Sequence, residues 1–384
     1  MITKEGKGNI LYIGGFNFDK TNASSVRVIE NVRFFQNLNF DVKILGKICL
    51  KENENSIYIK GVEVFDIEES KKSFANDITT IKSKVESSVN KIDYIIAYNY
   101  PPISFNKLIK YCASNSIILI PDITEWYGID GKFTLIKGLR FFLNEWRMLM
   151  LNKKCPNKII ASSYLQKIYN TTNNLRLPFV TIDKFHSENE IIIDKNNLIF
   201  VYAGSPGKNF SKDRLDIVIK AFANTKSLHN NFTLKIVGLL KDDLLKIDTI
   251  RNDIIKLEDN LVCYGKVRNE ECIDIIKKSN IVVFAREINR VSSSGYPTKV
   301  FEAFKYGLPV LTNKTSDIDW HVNKSNGFLV SNTNVSEFSK CIKEILCMEI
   351  ENLKGIINKC RGNNPFYYTE YKEETIRFFN KMNR

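Results

Sequence analysis

The stretch "VYAGSPGKNFSKDRLDIVIKAF", Val201 to Phe222, carries a strand ending, a glycine–proline turn and a helical pattern in one short segment. The apolar run closes at Gly204-Ser205-Pro206-Gly207, after which Lys208 and Lys212 precede a helix. Glycines let a backbone approach a ligand closely, and cations at a helix start suit a diphosphate. The Lys-Ser/Thr pair of a P-loop is missing, which disfavours ATPase chemistry.

The same strand-then-helix rhythm extends in both directions. Upstream, NILYIGG, DVKIL, VEVFDI, DYIIAY, SIILIPD and KIIASS read as buried strands, and from Leu198 onward LIFVYAG, TLKIVG, LVCYG, IVVFA, PVLTN and GFLV repeat the pattern. Alternating strands and helices imply right-handed crossovers and parallel sheets. Two such series, in a chain of 384 residues, imply two doubly wound α/β domains, which face to face would hold their ligand between them. A first helix is expected over Ser24 to Leu38, with Val28, Val32, Phe35 and Leu38 on its apolar face. The seam is expected between Leu177-Pro178 and Asn196, in the polar stretch VTIDKFHSENEIIIDKNN. The C-terminal NPFYYTEYKEETIRFFNKMNR reads as a turn and an aromatic helix that docks through Tyr371, Ile376, Phe378 and Phe379.

Composition narrows the function classes. A hydrophobic content of 43% with 26% charged residues is that of a globular chain. Eight cysteines without a CxxC pair and three scattered histidines disfavour a disulfide framework or a metal centre, and point to the cytosol. The N-terminal apolar run is short and reads as a strand, not a signal peptide. The formal charge of +13 suits anionic lipid, phosphorylated substrates or nucleic acid, or is simply a lysine-rich surface. No recognised RNA or DNA motif accompanies it, so no nucleic-acid partner is expected. Lys132 to Lys154, KFTLIKGLRFFLNEWRMLMLNKK, sets cations among Phe, Trp, Leu and Met with Glu145 as its single acid. It is either a buried edge helix or an interfacial helix on an anionic membrane.

Three further segments carry candidate chemistry. In "SSSGYPTKVFEAFKYGLPVL", Ser292 to Leu311, Gly295-Tyr296-Pro297 forms a turn and Thr298-Lys299 opens a helix that Gly307 ends. Free amides at that start grip phosphate oxygens, Lys299 neutralises them, and Glu302 accepts hydrogen bonds from a sugar diol. In YIGGFNFDK, Gly14-Gly15 reads as a turn after the first strand, with donors exposed. In IPDITEWYG, Asp122, Glu125 and Tyr127 lie at a strand end as acceptor contacts or as structural residues.

These segments together resemble the GT-B glycosyltransferases of family GT4 (glycosyltransferase group 1), over essentially the whole chain. The family pattern has two glutamates separated by seven residues, then a small-residue helix and a Gly-x-Pro-Val strand. The match falls on Glu302, Ala303, Gly307, Pro309 and Val310, while Ser294 stands at the first glutamate. A subset reading Gly-aromatic-Pro-Thr-Lys is also similar. The resemblance implies two Rossmann-like domains, an N-terminal acceptor domain over 1–180 and a nucleotide-sugar domain over 181–365. Residues 366–384 are then a helix returning to the first domain. It assigns the nucleotide ribose to Glu302 and the diphosphate to the backbone of Thr298, Lys299 and Val300. Lys212 takes the place of the family's phosphate-flanking lysine. Ser205 stands where the family has arginine, a charge that Lys208, Lys299 or Arg290 could replace. Gly265, Lys266 and Val267 fall near the nucleobase, and the Gly14-Gly15 loop faces the donor.

The activity so implied is metal-independent, retaining transfer of a hexosyl unit from a nucleotide-diphosphate sugar, most simply a UDP-sugar. Lys212 and Glu302 are its principal residues, and no cofactor is needed. Asp317 and Asp319 form a DxD triplet, a pattern of a different transferase architecture. The acceptor class is a glycan, lipid-linked, at the inner face of the cytoplasmic membrane; the chain is a monomer or homodimer. Ser294 and Ser205 also leave open a non-catalytic subunit of this shape. A nucleotide-sugar epimerase of the same architecture is a further alternative.

Overall fold

The computed structural model describes residues 8–18, 23–48, 54, 56–67, 78–128, 134–170, 173–184 and 193–382. The chain divides into two compact units. One comprises Met1–Asp183, Ser294–Tyr296 and Phe366–Arg384; the other comprises Lys184–Ser293 and Pro297–Pro365. The first boundary thus falls just after residue 180. Of the polar seam stretch, residues 185–192 lie outside the described residues.

The first unit is built on eight strands: β1 (Asn9–Asn17), β2 (Asp41–Lys47), β3 (Ile57–Ile59), β4 (Val62–Asp66), β5 (Tyr94–Tyr98), β6 (Ile118–Ile123), β7 (Asn157–Ile160) and β8 (Asn173–Arg176). Their order is β3-β4-β2-β1-β5-β6-β7-β8, parallel except for β3 against β4. All six strands expected here are present, and β3 and β8 are additional edges. Side chains alternate across the pleat. Ile10 and Tyr12 of β1 enter one core, while Leu11 and Ile13 enter the core on the opposite face. Burial on both faces explains why these strands read as unbroken apolar runs.

The helix Ala23–Asn37 covers the Ile10/Tyr12 face with Val28, Val32 and Phe35, as its spacing predicts. The C-terminal helix Thr369–Asn380 joins the same core. The Phe379 ring lies 4.4 Å from Phe40, 5.3 Å from Tyr94 and 5.8 Å from Phe35, centroid to centroid. Asn173 Nδ2 donates to the Phe378 carbonyl at 2.9 Å, tying that helix to β8.

Gly14 and Gly15 do not form a turn after β1. They lie inside the strand, where its register with β2 shifts between Ile13 and Asn17. A Cβ on Gly14 would stand 2.6 Å from the Phe16 ring, so folded-back aromatic packing requires a glycine there. Gly15 is exposed with open space beside it.

The second unit has six parallel strands: β9 (Leu198–Ala203), β10 (Phe232–Val237), β11 (Leu261–Gly265), β12 (Ile281–Val283), β13 (Val310–Asn313) and β14 (Gly327–Val330). All six were expected. Their order, β11-β10-β9-β12-β13-β14, reverses direction between β9 and β12. A doubly wound sheet opens a crevice at such a reversal, beyond the carboxyl ends of the strands.

Candidate functional site

The residues flanking that reversal in the second unit supply the chemistry. Gly204, Gly238 and Gly265 sit at the ends of β9, β10 and β11 with φ of 134°, 114° and 65°. Side chains rarely tolerate these angles. Space excludes them too: a Cβ on Gly238 would meet the Gly204 carbonyl oxygen at 2.3 Å, and one on Gly204 would meet Lys299 Nζ at 2.9 Å. The three glycines form a strip of bare backbone. Beyond it, Pro206 O accepts from the amides of Lys212 (2.9 Å) and Asp213 (3.1 Å), folding the Ser205–Lys212 loop onto itself. Arg214 N donates to Ala285 O at 2.8 Å, which pins that loop to the end of β12.

Asp213 is the centre of the charge arrangement. Its carboxylate accepts from Lys299 Nζ at 2.8 Å, Arg286 Nε at 3.1 Å and the Tyr202 hydroxyl at 2.9 Å. Burial alone would raise its pKa, but Lys299 and then Arg286 outweigh burial and take it down to about 2. The same burial, with Asp213 alongside, pushes the Tyr202 phenol far above its ordinary range. Lys299 Nζ also lies 4.9 Å from the Tyr202 ring centroid, in cation–π reach. Two cations around one carboxylate leave an excess positive charge beside the glycine strip. Asn313 fixes the Arg286 backbone, Oδ1 accepting from its amide at 2.8 Å and Nδ2 donating to its carbonyl at 2.9 Å.

Lys299 is the second residue of the helix Thr298–Lys305, whose first turn carries no side-chain cap. Val300 N donates to Pro297 O, which leaves the amides of Thr298 and Lys299 at the helix start for anionic oxygens. Glu302 lies one turn along the same helix. Burial raises its pKa, against the opposing charges of Lys299, Lys305 and Lys212. The structure thus brings Lys212, Lys299 and Glu302 into one electrostatic neighbourhood. Lys212, Lys208, Ser205 and Lys266 are exposed around the strip, Val267 is half-buried, and Arg290 begins the short helix Arg290–Ser294.

Several expected residues are engaged elsewhere. Ser294, Gly295 and Tyr296 belong to the first unit. Ser294 Oγ accepts from Trp126 N at 2.8 Å, and its carbonyl accepts from Ser162 Oγ at 2.8 Å. A Cβ on Gly295 would lie 3.0 Å from Glu125 Cγ. The Tyr296 ring packs edge-on against Phe179 and Phe366. Pro297 and Val300 are buried, Val300 N donating to Pro297 O at 3.1 Å.

Asp122 corrects its assignment as an acceptor contact. It is fully buried, pairing with Arg27 at 2.8 Å and accepting from the Tyr12 hydroxyl, so neither oxygen reaches solvent. Glu125 is half-buried near the more exposed Tyr127, whose phenol pKa is raised by loss of hydration and by that carboxylate. Asp319 pairs with Lys314 at 2.5 Å, whereas Asp317 is buried.

Sequence reasoning missed Arg286, Asp213, Tyr202 and Gly238. Gly238 had a signal, since TLKIVG ends as LIFVYAG does. Arg286 had a weaker one, directly after the strand run IVVFA.

Comparison with known proteins covers the same ground. Residues 197–348 match the family described as "Glycosyl transferases group 1". No curated protein sequence matches the chain. Among solved structures, the sucrose-phosphate synthase of Thermosynechococcus elongatus is similar at a TM-score of 0.71 and 10% identity, covering 98% of this chain and 99% of that one. Anabaena Alr3699/HepE, in complex with UDP and glucose, is similar at 0.63 and 15% identity, covering 97% and 100%. The pneumococcal O-GlcNAc transferase GtfA, with UDP and GlcNAc, is similar at 0.64 and 12% identity, covering 97% and 99%. Two α/β units with this strand order and these neighbours make the fold GT-B.

Proposed function

We propose that the chain is a glycosyltransferase that moves a hexosyl unit from a nucleotide-diphosphate sugar, in the first place a UDP-sugar, to a glycan acceptor. One observation carries this reading. At the strand-order reversal of the second unit, Gly204 of the glycine strip lies against Lys299, which opens an uncapped helix and shares Asp213 with Arg286, and Glu302 follows one turn along that helix. The amides and the excess cation suit the pyrophosphate, and Glu302 suits the ribose hydroxyls. The likeness to two structures solved with UDP, HepE and the O-GlcNAc transferase GtfA, supports the choice of base.

Catalysis on this reading is electrostatic. Negative charge grows on the departing diphosphate, and cations and amides already in place stabilise it without reorganising. Lys212, exposed at the loop's end, is the cation assigned to that growing charge. The acceptor hydroxyl bonds to the anomeric carbon on the face from which the diphosphate departs, the anomeric C–O bond to the diphosphate breaks, and the diphosphate takes the hydroxyl proton, so that configuration is retained without a metal. The acceptor is a lipid-linked glycan, which a basic chain meets at the inner face of the cytoplasmic membrane.

Calorimetric titration with UDP, GDP and ADP tests the assignment. UDP binds in the micromolar range, and absence of heat with all three overturns it. Lys212→Ala lowers kcat at least tenfold, with a smaller change in KM; an unchanged kcat removes it from the mechanism. A second reading, a GT-B subunit that binds donor without transferring, is favoured by Ser294, whose hydroxyl is occupied by Trp126 N. Release of free nucleotide from UDP-sugars by the isolated chain separates the two.

A further inference from the structure

Among the described residues, the helix Leu135–Trp146 of the first unit leaves an apolar face exposed. Leu135, Leu139 and Phe142 are 87%, 55% and 71% exposed, and their spacing puts them on one stripe of the helix. Ile136 stands beside that stripe, and Leu149 and Met150 extend it past a π-helical turn, Arg147–Leu151. Large apolar side chains gathered so densely on a surface mark an interaction site.

Charge says what covers them. Leu135–Lys154 holds five cations, Lys137, Arg140, Arg147, Lys153 and Lys154, against the single acid Glu145. Glu145 accepts from Trp126 Nε1 at 2.8 Å, facing into the unit. Arg140, Lys153 and Lys154 are exposed around the apolar stripe. Arg147 is buried beneath it, and among the described residues no carboxylate meets its guanidinium. Its NH2 donates to Asn144 Oδ1 at 2.9 Å, NH1 to Tyr100 O at 3.4 Å, and Nε is without a partner. A second copy of this chain would set these five cations against five more, on a molecule already carrying +13. Among the described residues no helix is long and apolar enough to cross a membrane, so a bilayer contact here is peripheral.

We propose that the Leu135–Lys154 face docks on an anionic lipid bilayer, with Leu135, Leu139 and Phe142 entering the acyl boundary and Arg140, Lys153 and Lys154 against the headgroups. The docking does not depend on the transfer reaction, and its test uses neither donor nor acceptor. The full chain is co-sedimented with vesicles of phosphatidylcholine containing phosphatidylglycerol, and with phosphatidylcholine alone. The wild-type chain pellets with the mixed vesicles and not with the neutral ones. Leu139→Asp with Phe142→Asp weakens binding at least tenfold, as expected when the apolar anchor is replaced by charge. Each of Arg140→Gln, Lys153→Gln and Lys154→Gln weakens it about fivefold. Circular dichroism confirms that the variants fold; the comparison of the two lipids on the wild-type chain needs no variant. Failure to pellet with the anionic vesicles, or equal pelleting with both, overturns the proposal. So does a dimer in solution that Phe142→Asp converts to monomers, because a second copy would then cover the face.

Discussion

At the scale of single residues, the site couples charge to stability in two opposite senses. Asp213 is held at about 2, from an ordinary 3.8, so its folded form favours the ionised carboxylate. A depressed carboxylate stabilises the fold at pH above its unfolded value, and that contribution disappears as pH falls through the folded value. The shift corresponds to about 2 kcal/mol. Asp213→Asn is therefore less stable than wild type at neutral pH, and the gap narrows from pH 3.8 downward, closing near 2. Chemical denaturation at a series of pH values reads this directly, and a gap constant throughout contradicts it. Glu302 has the reverse sign: burial raises its pKa, so its ionised form weighs against the folded state above that pKa. Glu302→Gln is then expected to melt higher at neutral pH while raising donor KM by roughly tenfold to a hundredfold, as hydrogen bonds to a charged group weaken. A thermal melt beside a donor saturation curve checks both halves. Residues that favour function over stability in this way are familiar at binding sites.

At the scale of elements, the glycine strip gives an ordered prediction. At Gly204 the obstacle to a Cβ is the tip of a flexible lysine, whereas at Gly238 it is a backbone carbonyl. Gly204→Ala therefore costs about 1–3 kcal/mol, mainly from its positive φ, and displaces Lys299 from Asp213. Gly238→Ala costs more, because β9 itself has to move. Melting temperatures in the order wild type, Gly204→Ala, Gly238→Ala are expected, and an inverted order contradicts this account. Most strands were legible as sequence because burial on both faces makes them continuous apolar runs. The exceptions have physical causes. β8, Asn-Asn-Leu-Arg, is a strand through its pairing with β7 and not through its side chains. β1 runs through Gly14-Gly15, since Phe16 folds back over Gly14. The site was legible in part: Lys299, Glu302 and the Gly204–Gly207 turn show in local patterns. The partnership of Asp213 with Lys299 spans 86 residues and that with Arg286 spans 73, distances over which sequence pattern carries no signal.

At the scale of the whole molecule, the chain completes its first unit with its last helix. Phe379 is 2% exposed among Phe35, Phe40 and Tyr94, so Phe379→Ala leaves a cavity costing about 3–5 kcal/mol. The expected result is a lowered melting transition for the first unit with nucleotide affinity in the second unchanged. A parallel loss of affinity would mean that the nucleotide site depends on that helix. The segment Ser294–Tyr296 is the other long-range tie, taken from the middle of the second unit's sequence into the first unit's core.

The amino-acid order alone determined that this chain makes two parallel α/β sheets, where their strands lie, and which helix start and turn offer amides and cations. These are local matters, settled by which neighbours in sequence are apolar, cationic or glycine. Only the tertiary structure decided that Lys299 shares Asp213 with Arg286, that Asp122 is spent on Arg27, and that Ser294 serves the first unit. Such pairings rest on burial and on charges meeting through space, quantities that exist only once distant segments have packed together.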